Sequence, residues 1–167
     1  MDNMMRTDWT GTLDVRELRS NMVGEVVIPG DESWDEARRA WNLAVDQRPV
    51  AVAIPETVQD VVELVTYARD CGLQVAPQGT GHSAGALGSL AHTILLKMHK
   101  LRGVTIDPVT RTARAEAGTI WIEVVESAAE HGLAALAGSS PDVGVVGYTL
   151  GGGLSFSRAS TASARTR

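Results

Sequence analysis

The chain has 167 residues, 44% hydrophobic and 21% charged, which are the proportions of a soluble globular protein with one ordinary core. Its net charge of −5 gives no electrostatic basis for binding nucleic acid or an anionic membrane surface. Its single cysteine, Cys71, excludes an internal disulfide and a cysteine-based zinc cluster.

The sequence contains neither a membrane-spanning segment nor a recognisable export signal. No apolar run is long enough to cross a bilayer, and residues 1–8 lack the basic-then-apolar form of a secretion signal. We therefore expect a cytoplasmic protein without membrane or nucleic-acid partners.

The first 45 residues are predicted to form a leader and one helix. Residues 1–32 are polar and weakly periodic, which predicts an extended leader ending in the run 26–31. Ser33 and Glu36 have the spacing of a capping box. A helix from about 34 to 45 is predicted, with apolar residues at helical spacing: Trp34, Ala37, Trp41 and Ala44.

From residue 50 onward, short apolar runs alternate with helical patterns. Strands are predicted at 50–54, 73–76, 93–97 and 133–136, with a hairpin formed by 104–106 and 112–117. One helix is predicted from Thr57 to Gly72 and another from Ile120 to Gly132. The buried stripe of the first of these is predicted as Val58, Val61, Val62, Leu64, Val65 and Ala68. A helix between two apolar strands is a βαβ-like unit, so the predicted fold class is α+β.

Two glycine-rich stretches come directly after predicted strands. The first is the run 75–85, which contains His82, and the second extends from Gly138 to Gly153. Glycines allow unusual dihedral angles and close backbone approach, and successive free amides form a concave site for phosphate oxygens. We expect the two stretches to converge as loops on one extended anionic ligand. His82 could bind a metal, move a proton or bond covalently to a cofactor.

The residues after the first glycine-rich stretch exclude a dinucleotide-binding Rossmann fold. Gly79, Gly81 and Gly85 fall one residue off the usual fingerprint, and residues 84–90 are too rich in glycine to open a helix. The strand at 93–97 comes too soon to leave room for a crossover helix.

A metal site and a serine nucleophile are also disfavoured. Ser83 and Ser155 lack the nucleophile-elbow pattern. Four histidines share neither the spacing nor the acidic partners of a ligand set: His82, His92, His99 and His131. We therefore assign neither a metal ligand nor a catalytic residue in this chain.

Five ordered motifs resemble one known family. They are the runs 53–62, 75–85, Gly118-Thr119-x-Trp121, 138–144 and 151–153. Together they are similar to the FAD-linked oxidases of the vanillyl-alcohol oxidase class, which carry a PCMH-type FAD-binding domain, and specifically to the berberine-bridge-enzyme-like branch. The resemblance covers roughly residues 46–156. It implies the βαβ-like first subdomain and the start of the second, mixed-sheet subdomain, incomplete at the C-terminus.

The resemblance also implies an FAD site and its residues. Backbone amides of Gln78 to Gly81 would hold the pyrophosphate, and the His82 ring would bond covalently to the methyl group on the benzenoid edge of the flavin. Some members have a second flavin bond from a cysteine, but Ser140 stands at that position, so a single link is expected. The implied FAD-binding residues are Pro77, Gln78, Gly79, Thr80, Gly81, His82, Ser83, Gly118, Pro141, Gly144, Val145, Gly147, Gly151, Gly152 and Gly153.

The tail departs from the family. After Phe156 the apolar pattern and the resemblance both stop, and the Ser-, Ala-, Thr- and Arg-rich residues 157–167 have a composition typical of disorder. Our hypothesis is a frameshift or truncation after an N-terminal region (1–45) and an incomplete FAD-binding domain (46–156). We expect the catalytic base and substrate pocket to lie outside this chain, which by itself would have little oxidase activity.

Two functions are compatible with these patterns. The first is the FAD-binding portion of a flavin-dependent oxidase that takes hydride from an alcohol, sugar or amine and passes electrons to dioxygen. The alternative is a non-catalytic α+β remnant or binding module. A yellow colour that survives acid precipitation would distinguish the first from the second.

Overall fold

A computed structural model describes residues 15–155. Its helices are α1 (Val15–Asn21), α2 (Trp34–Ala37), α3 (Val58–Asp70), α4 (Trp121–Ala129) and α5 (Val145–Leu150). Its strands are β1 (Glu25–Val27), β2 (Ala51–Ile54), β3 (Gln74–Gln78), β4 (Thr93–Lys97), β5 (Val104–Asp107) and β6 (Thr112–Ala115), and a single 3₁₀ turn spans Ala84–Leu87. None of the helices between residues 15 and 155 combines the length and apolarity that a bilayer span requires.

Four strands form the main sheet, in the order β1-β2-β4-β3. β1 is antiparallel to β2, whereas β2 and β3 both run parallel to the central strand β4. The helix α3 therefore connects two parallel strands, as in a βαβ unit with β4 inserted between them. β5 and β6 form a separate antiparallel hairpin, as predicted.

The core lies on both faces of the sheet. The strands predicted at 50–54 and 93–97 are confirmed as β2 and β4, and every residue of both is buried, which is typical of continuous apolar runs. On one face, Leu18 of α1 and Leu64 of α3 pack with Ile94 of β4. On the other face, Val52 and Leu95 belong to a second cluster.

The α3 helix begins and ends where its sequence signals predict. Thr57 accepts a hydrogen bond from the backbone amide of Asp60 (3.1 Å), and Gly72 comes after the helix at a φ of +67°. The predicted buried stripe is only partly right. Leu64 and Ala68 are buried, but Val58, Val62 and Val65 are exposed (70%, 51% and 48%). The helix turns a narrower face toward the sheet, and Asp60 occupies one position of that face.

The prediction of an extended leader over residues 1–32 is wrong for residues 15–21, which are helical, whereas residues 25–27 are extended. Residues 15–21 form α1, whose Leu18 packs into the core, and residues 25–27 form β1. These elements are too short to show periodicity in the sequence, and it is the core and the edge of β2 that stabilise them. Residues 1–14 lie outside the described part.

The predicted helix over 34–45 is also wrong beyond its first turn. α2 ends at Ala37, and the Ser33 side chain makes no capping hydrogen bond. Contacts beyond the helix redirect the chain: Arg38 bonds to Asp46, and the Trp41 amide donates to the carbonyl of Thr80 (3.0 Å).

Two predictions for the C-terminal third need correction, whereas α4 and Gly132 (φ +66°) agree with the pattern. Residues 133–136 form no strand, because the Leu133 amide bonds back to Ala128 to close α4 (3.0 Å). The second glycine-rich stretch is not wholly a loop, since its apolar residues form α5. The tail 157–167 lies outside the described residues.

Candidate functional site

A cavity of about 320 Å³ lies between the two glycine-rich stretches. One wall is the turn that leaves β3, and the opposite wall includes Gly144 and Gly147 at the start of α5. A Cβ atom at Gly144 would lie 3.7 Å from the amide nitrogen of Thr80, so the two stretches are in close contact. The lining residues are Pro77, Gln78, Gly79, Thr80, Gly81, His82, Ser83, Ala84, Ala86, Leu87, Val143, Gly144, Gly147 and Tyr148.

The turn after β3 has a row of unused backbone donors. The amides of Gly79–Ser83 donate to no other group within residues 15–155. Gly81 has a φ of +85°, which favours glycine, and its carbonyl accepts from the amide of Ala84 (3.2 Å). Successive free amides in a turn of this kind attract anions. The turn is therefore suited to phosphate oxygens.

His82 is held at the lip of this cavity by three neighbours. Its Nδ1 lies 2.7 Å from the hydroxyl of Thr80, and its ring stacks on Trp41 with centroids 4.0 Å apart. Its Nε2 lies 3.8 Å from a carboxylate oxygen of Asp142 and has no hydrogen-bond partner in the described chain, although that atom is buried. The ring is therefore fixed in orientation while one nitrogen remains available.

Asp142 connects Trp41 to the second glycine-rich stretch. It accepts hydrogen bonds from the indole Nε1 of Trp41 (2.9 Å) and from the hydroxyl of Ser140 (2.9 Å). The bond from Ser140, supported by the one from Trp41 and by the nearby His82, outweighs desolvation and holds the pKa of Asp142 below its ordinary value. Asp142 is therefore ionised at neutral pH, beside the imidazole.

Sequence reasoning missed both Trp41 and Asp142. The helical spacing of Trp41 predicts a place in a buried stripe, and no local pattern links it to a residue 101 positions away. Asp142 could have been noticed as the only carboxylate in the second glycine-rich stretch.

A buried polar chain lies beneath the turn. Gln78, the last residue of β3, donates to the side chain of Gln47 (2.9 Å) and accepts from the ammonium of Lys97 (2.9 Å). Lys97, the last residue of β4, also donates to the carbonyl of Arg39 (2.6 Å). The sequence patterns indicate a site role for neither Lys97 nor Gln47.

The structure brings together nine of the predicted FAD-binding residues around the cavity: Pro77, Gln78, Gly79, Thr80, Gly81, His82, Ser83, Gly144 and Gly147. Six others lie outside its lining: Gly118, Pro141, Val145, Gly151, Gly152 and Gly153.

Most of these outer residues are fixed by contacts with neighbouring segments. The Pro141 carbonyl accepts from Ile122 (2.9 Å), and the Val145 amide donates to the carbonyl of Thr119 (2.9 Å). Gly118 has no room for a side chain, because a Cβ atom would lie 1.9 Å from the Met98 carbonyl oxygen. Gly151 comes directly after the last residue of α5. As FAD contacts, all of them stay predictions.

Residues 49–164 match the model of a protein family described as an FAD binding domain. The chain belongs to this family. It is 34% identical over 133 residues to (R)-6-hydroxynicotine oxidase of Paenarthrobacter nicotinovorans, a match that covers 80% of this chain and 29% of that protein. The resemblance to the vanillyl-alcohol oxidase class and its PCMH-type domain is thereby confirmed.

Solved structures agree with the assignment to the FAD binding domain. Wild-type BBE-like 1 of Physcomitrella patens superimposes with a TM-score of 0.79 at 27% identity, over 90% of this chain and 33% of that one. The glucooligosaccharide oxidase of Acremonium strictum, described with a cysteinyl and histidyl FAD, gives a TM-score of 0.71 at 29% identity, over 84% of this chain and 30% of that one. The chain spans about a third of the length of these relatives.

The residues of this FAD binding domain fit the cofactor on physical grounds. The free amides of Gly79–Ser83 suit a diphosphate, and the cavity volume lies at the lower end of the range for small-molecule sites. None of the residues named as its lining carries a carboxylate that would repel an anion. His82 lines the same cavity, and one of its ring nitrogens is buried without a hydrogen-bond partner in the described chain.

Proposed function

We propose that this chain forms the diphosphate- and flavin-edge portion of the FAD site of a flavin-dependent oxidoreductase, with the cofactor bonded covalently to His82. The proposal depends on two features that lie at the same cavity. A histidine with an unpartnered buried nitrogen lines the same cavity as five successive free amides.

The amides of Gly79–Ser83 bind the diphosphate. A diphosphate presents several charged oxygens along one line, and hydrogen bonds from amides to charged oxygens are shorter and stronger than neutral ones. The glycine at position 144 leaves the opposite wall open, because any side chain there would project toward Thr80. The cofactor therefore lies between the two glycine-rich stretches.

His82 makes the covalent bond, and its neighbours orient the imidazole ring and accept its proton. Trp41 holds the imidazole plane by stacking, and the Thr80 hydroxyl occupies Nδ1. The ring must lose a proton when a carbon–nitrogen bond forms, and the ionised Asp142 stands 3.8 Å from Nε2 as an acceptor for it. Asp142 thus acts on the imidazole rather than on a substrate.

Formation of this carbon–nitrogen bond is a two-electron oxidation, and dioxygen is the oxidant. His82 would supply the nitrogen of the bond and lose one proton, the methyl group of a bound FAD would lose a second proton, and dioxygen would take up both protons and the two electrons as hydrogen peroxide. When bound, FAD supplies the redox chemistry of the family, in which hydride from a substrate is accepted and its electrons are passed on.

A single covalent link is proposed, without a cysteinyl bond. Ser140 stands in the second glycine-rich stretch, and its hydroxyl donates to Asp142 (2.9 Å). A serine hydroxyl lacks the nucleophilicity of a thiolate at neutral pH. The relative from Acremonium strictum is described with both bonds, so this chain would differ from it in that respect.

The substrate class is proposed from the relatives alone. Their names describe oxidases of 6-hydroxynicotine, glucooligosaccharide and xylooligosaccharide, that is, an amine and sugars. We propose an amine, sugar or alcohol as the small-molecule substrate of the whole protein.

The test is the colour of the purified protein before and after acid precipitation. We expect a yellow precipitate from the wild type and a colourless one from His82→Ala, with His92→Ala as the matched control because that side chain is exposed. Mass spectrometry should find one FAD per chain on the peptide that contains residue 82. A flavin-free wild type, reconstituted with excess FAD and still colourless, would overturn the proposal in favour of a non-catalytic module.

A further inference from the structure

Lys97 is a buried cation without an acidic partner. Only 8% of the residue is exposed, and within residues 15–155 its ammonium forms no ion pair with a carboxylate. Its two hydrogen-bond acceptors, the carbonyl of Arg39 and the side chain of Gln78, are both uncharged. Buried lysines are almost always paired with an opposite charge. Among residues 15–155, the ammonium therefore has no paired countercharge.

The same ammonium lies directly beneath the glycine turn. Gln78 and Lys97 are partners in the parallel register of β3 and β4. The side-chain oxygen of Gln78 that accepts from Lys97 (2.9 Å) lies 3.0 Å from where a Cβ atom of Gly81 would be. The ammonium is thus at most about 7.5 Å from the Cα atom of Gly81, a distance at which a charge still acts through a protein interior.

We propose that Lys97 is a positioning residue for the diphosphate: its ammonium, held by Gln78, supplies the positive charge beneath the free amides of Gly79–Ser83. This inference rests on the function proposed above. The amides provide the hydrogen bonds, and Lys97 provides the net charge that neutral amides lack. The same role explains why a charged residue ends an otherwise apolar strand in the core.

Burial gives this arrangement a pH dependence with a definite sign. Desolvation lowers the pKa of Lys97 to about 8, so a fraction of the free protein carries a neutral lysine just above neutral pH. A bound diphosphate stabilises the ammonium and raises that pKa, so binding takes up a proton. Affinity is therefore highest below about pH 8 and falls as the pH rises above it.

The neighbouring groups whose pKa is shifted move away from that range. Arg38 and Asp46 are ion-paired with each other in the segment that supplies the Arg39 carbonyl. Burial and nearby cations, Lys97 among them, lower the pKa of His99, and histidines ordinarily titrate near pH 6.5. Measurements from about pH 7 to 9 therefore report mainly on Lys97.

The experiment measures the affinity of the whole chain for an FAD analogue without the methyl group on its benzenoid edge, which prevents covalent attachment. Riboflavin, which has no phosphate, is the control ligand. Lys100→Met is the control variant, because Lys100 is an exposed neighbour that pairs with Glu56 (3.3 Å).

We expect Lys97→Met to weaken binding of the analogue about tenfold to a hundredfold and to leave riboflavin binding unchanged. The affinity of the wild type for the analogue should fall from pH 7 to 9. The affinity of Lys97→Met should be weak and independent of pH, and Lys97→Arg should bind the analogue with an affinity that does not fall over this range. Circular dichroism checks that each variant is folded. Should Lys97→Met fail to fold, the wild-type pH profile alone decides.

The outcomes separate the two proposals. If the wild type does not bind the analogue at any pH, the proposed function fails. If it binds with a flat pH profile, or if Lys97→Met binds the analogue as tightly as the wild type does, the role of Lys97 is refuted and the FAD site stands.

Discussion

Replacing Asp60 with alanine should destabilise the fold more than any surface change. Asp60 is 1% exposed, and its carboxylate accepts four backbone amides, from Val23 (2.9 Å), Gly24 (3.0 Å), Glu56 (2.8 Å) and Thr57 (3.1 Å). These bonds join the chain before β1 to the start of α3. Asp60 therefore connects the segment before β1 to the segment between β2 and α3.

The magnitude can be worked out from the donors that would lose their partner. A hydrogen bond to a charged group contributes about 1.5–3 kcal/mol, but four bonds to one carboxylate do not add independently. Breaking a buried charged network costs about 3–5 kcal/mol. Because domains are stable by about 5–15 kcal/mol, we expect Asp60→Ala to remove a large share of the free energy of unfolding.

Urea unfolding at about pH 7, monitored by tryptophan fluorescence, measures this loss. Asp70→Ala is the control, because Asp70 lies on the same helix with a side chain 62% exposed and should change stability by less than about 0.5 kcal/mol. A loss below about 1 kcal/mol for Asp60→Ala would refute the reasoning that these four bonds stabilise the fold.

The same carboxylate predicts a pH dependence. Burial alone would raise the pKa of Asp60, but the four amides outweigh it and hold the pKa below the ordinary value. Its stabilising contribution is therefore complete above about pH 4 and is lost as the pH falls through the lowered pKa. The difference in stability between wild type and Asp60→Ala should narrow in acid; an unchanged difference at about pH 3 would contradict this account.

Three further changes test the site and its walls. Gly118→Ala should destabilise by about 2 kcal/mol or more in urea unfolding, because its Cβ atom would clash with the carbonyl oxygen of Met98. Gly144→Val should alter stability by less than about 1 kcal/mol but weaken FAD binding about tenfold, measured by flavin fluorescence titration, because its methyl groups would enter the cavity. Asp142→Asn should bind FAD but form acid-stable flavin about tenfold more slowly or worse, measured as a time course of reconstitution.

The central strands and α3 could be predicted because their signals are local. A continuous apolar run such as 93–97 is buried on both faces in any α/β packing, so β4 matches its predicted bounds. Thr57, Asp60 and Gly72 place the ends of α3 through hydrogen bonds and dihedral angles that involve only nearby residues.

The region around Trp41 could not be predicted, because its structure depends on partners far along the chain. The helical pattern continues to residue 44, yet Trp41 stacks on His82, bonds through its indole to Asp142 and donates its amide to Thr80. These contacts outweigh a helix propensity worth only tenths of a kcal/mol per residue. The convergence of the two glycine-rich stretches is predictable from their glycines. The position of the segment around Trp41, which covers His82, is not.

The sheet topology explains why the polar residues of the site gather at one edge. β3 and β4 are parallel neighbours, so their last residues, Gln78 and Lys97, end at the same edge of the sheet. In sheets of parallel strands, ligands bind outside the carboxyl ends of the strands. The turn that carries His82 departs from this same edge, which brings free amides and a buried ammonium under one cavity. An anion site of this kind does not require a Rossmann fold, because the carboxyl ends of parallel strands lie at the same edge of a sheet however the strands are connected.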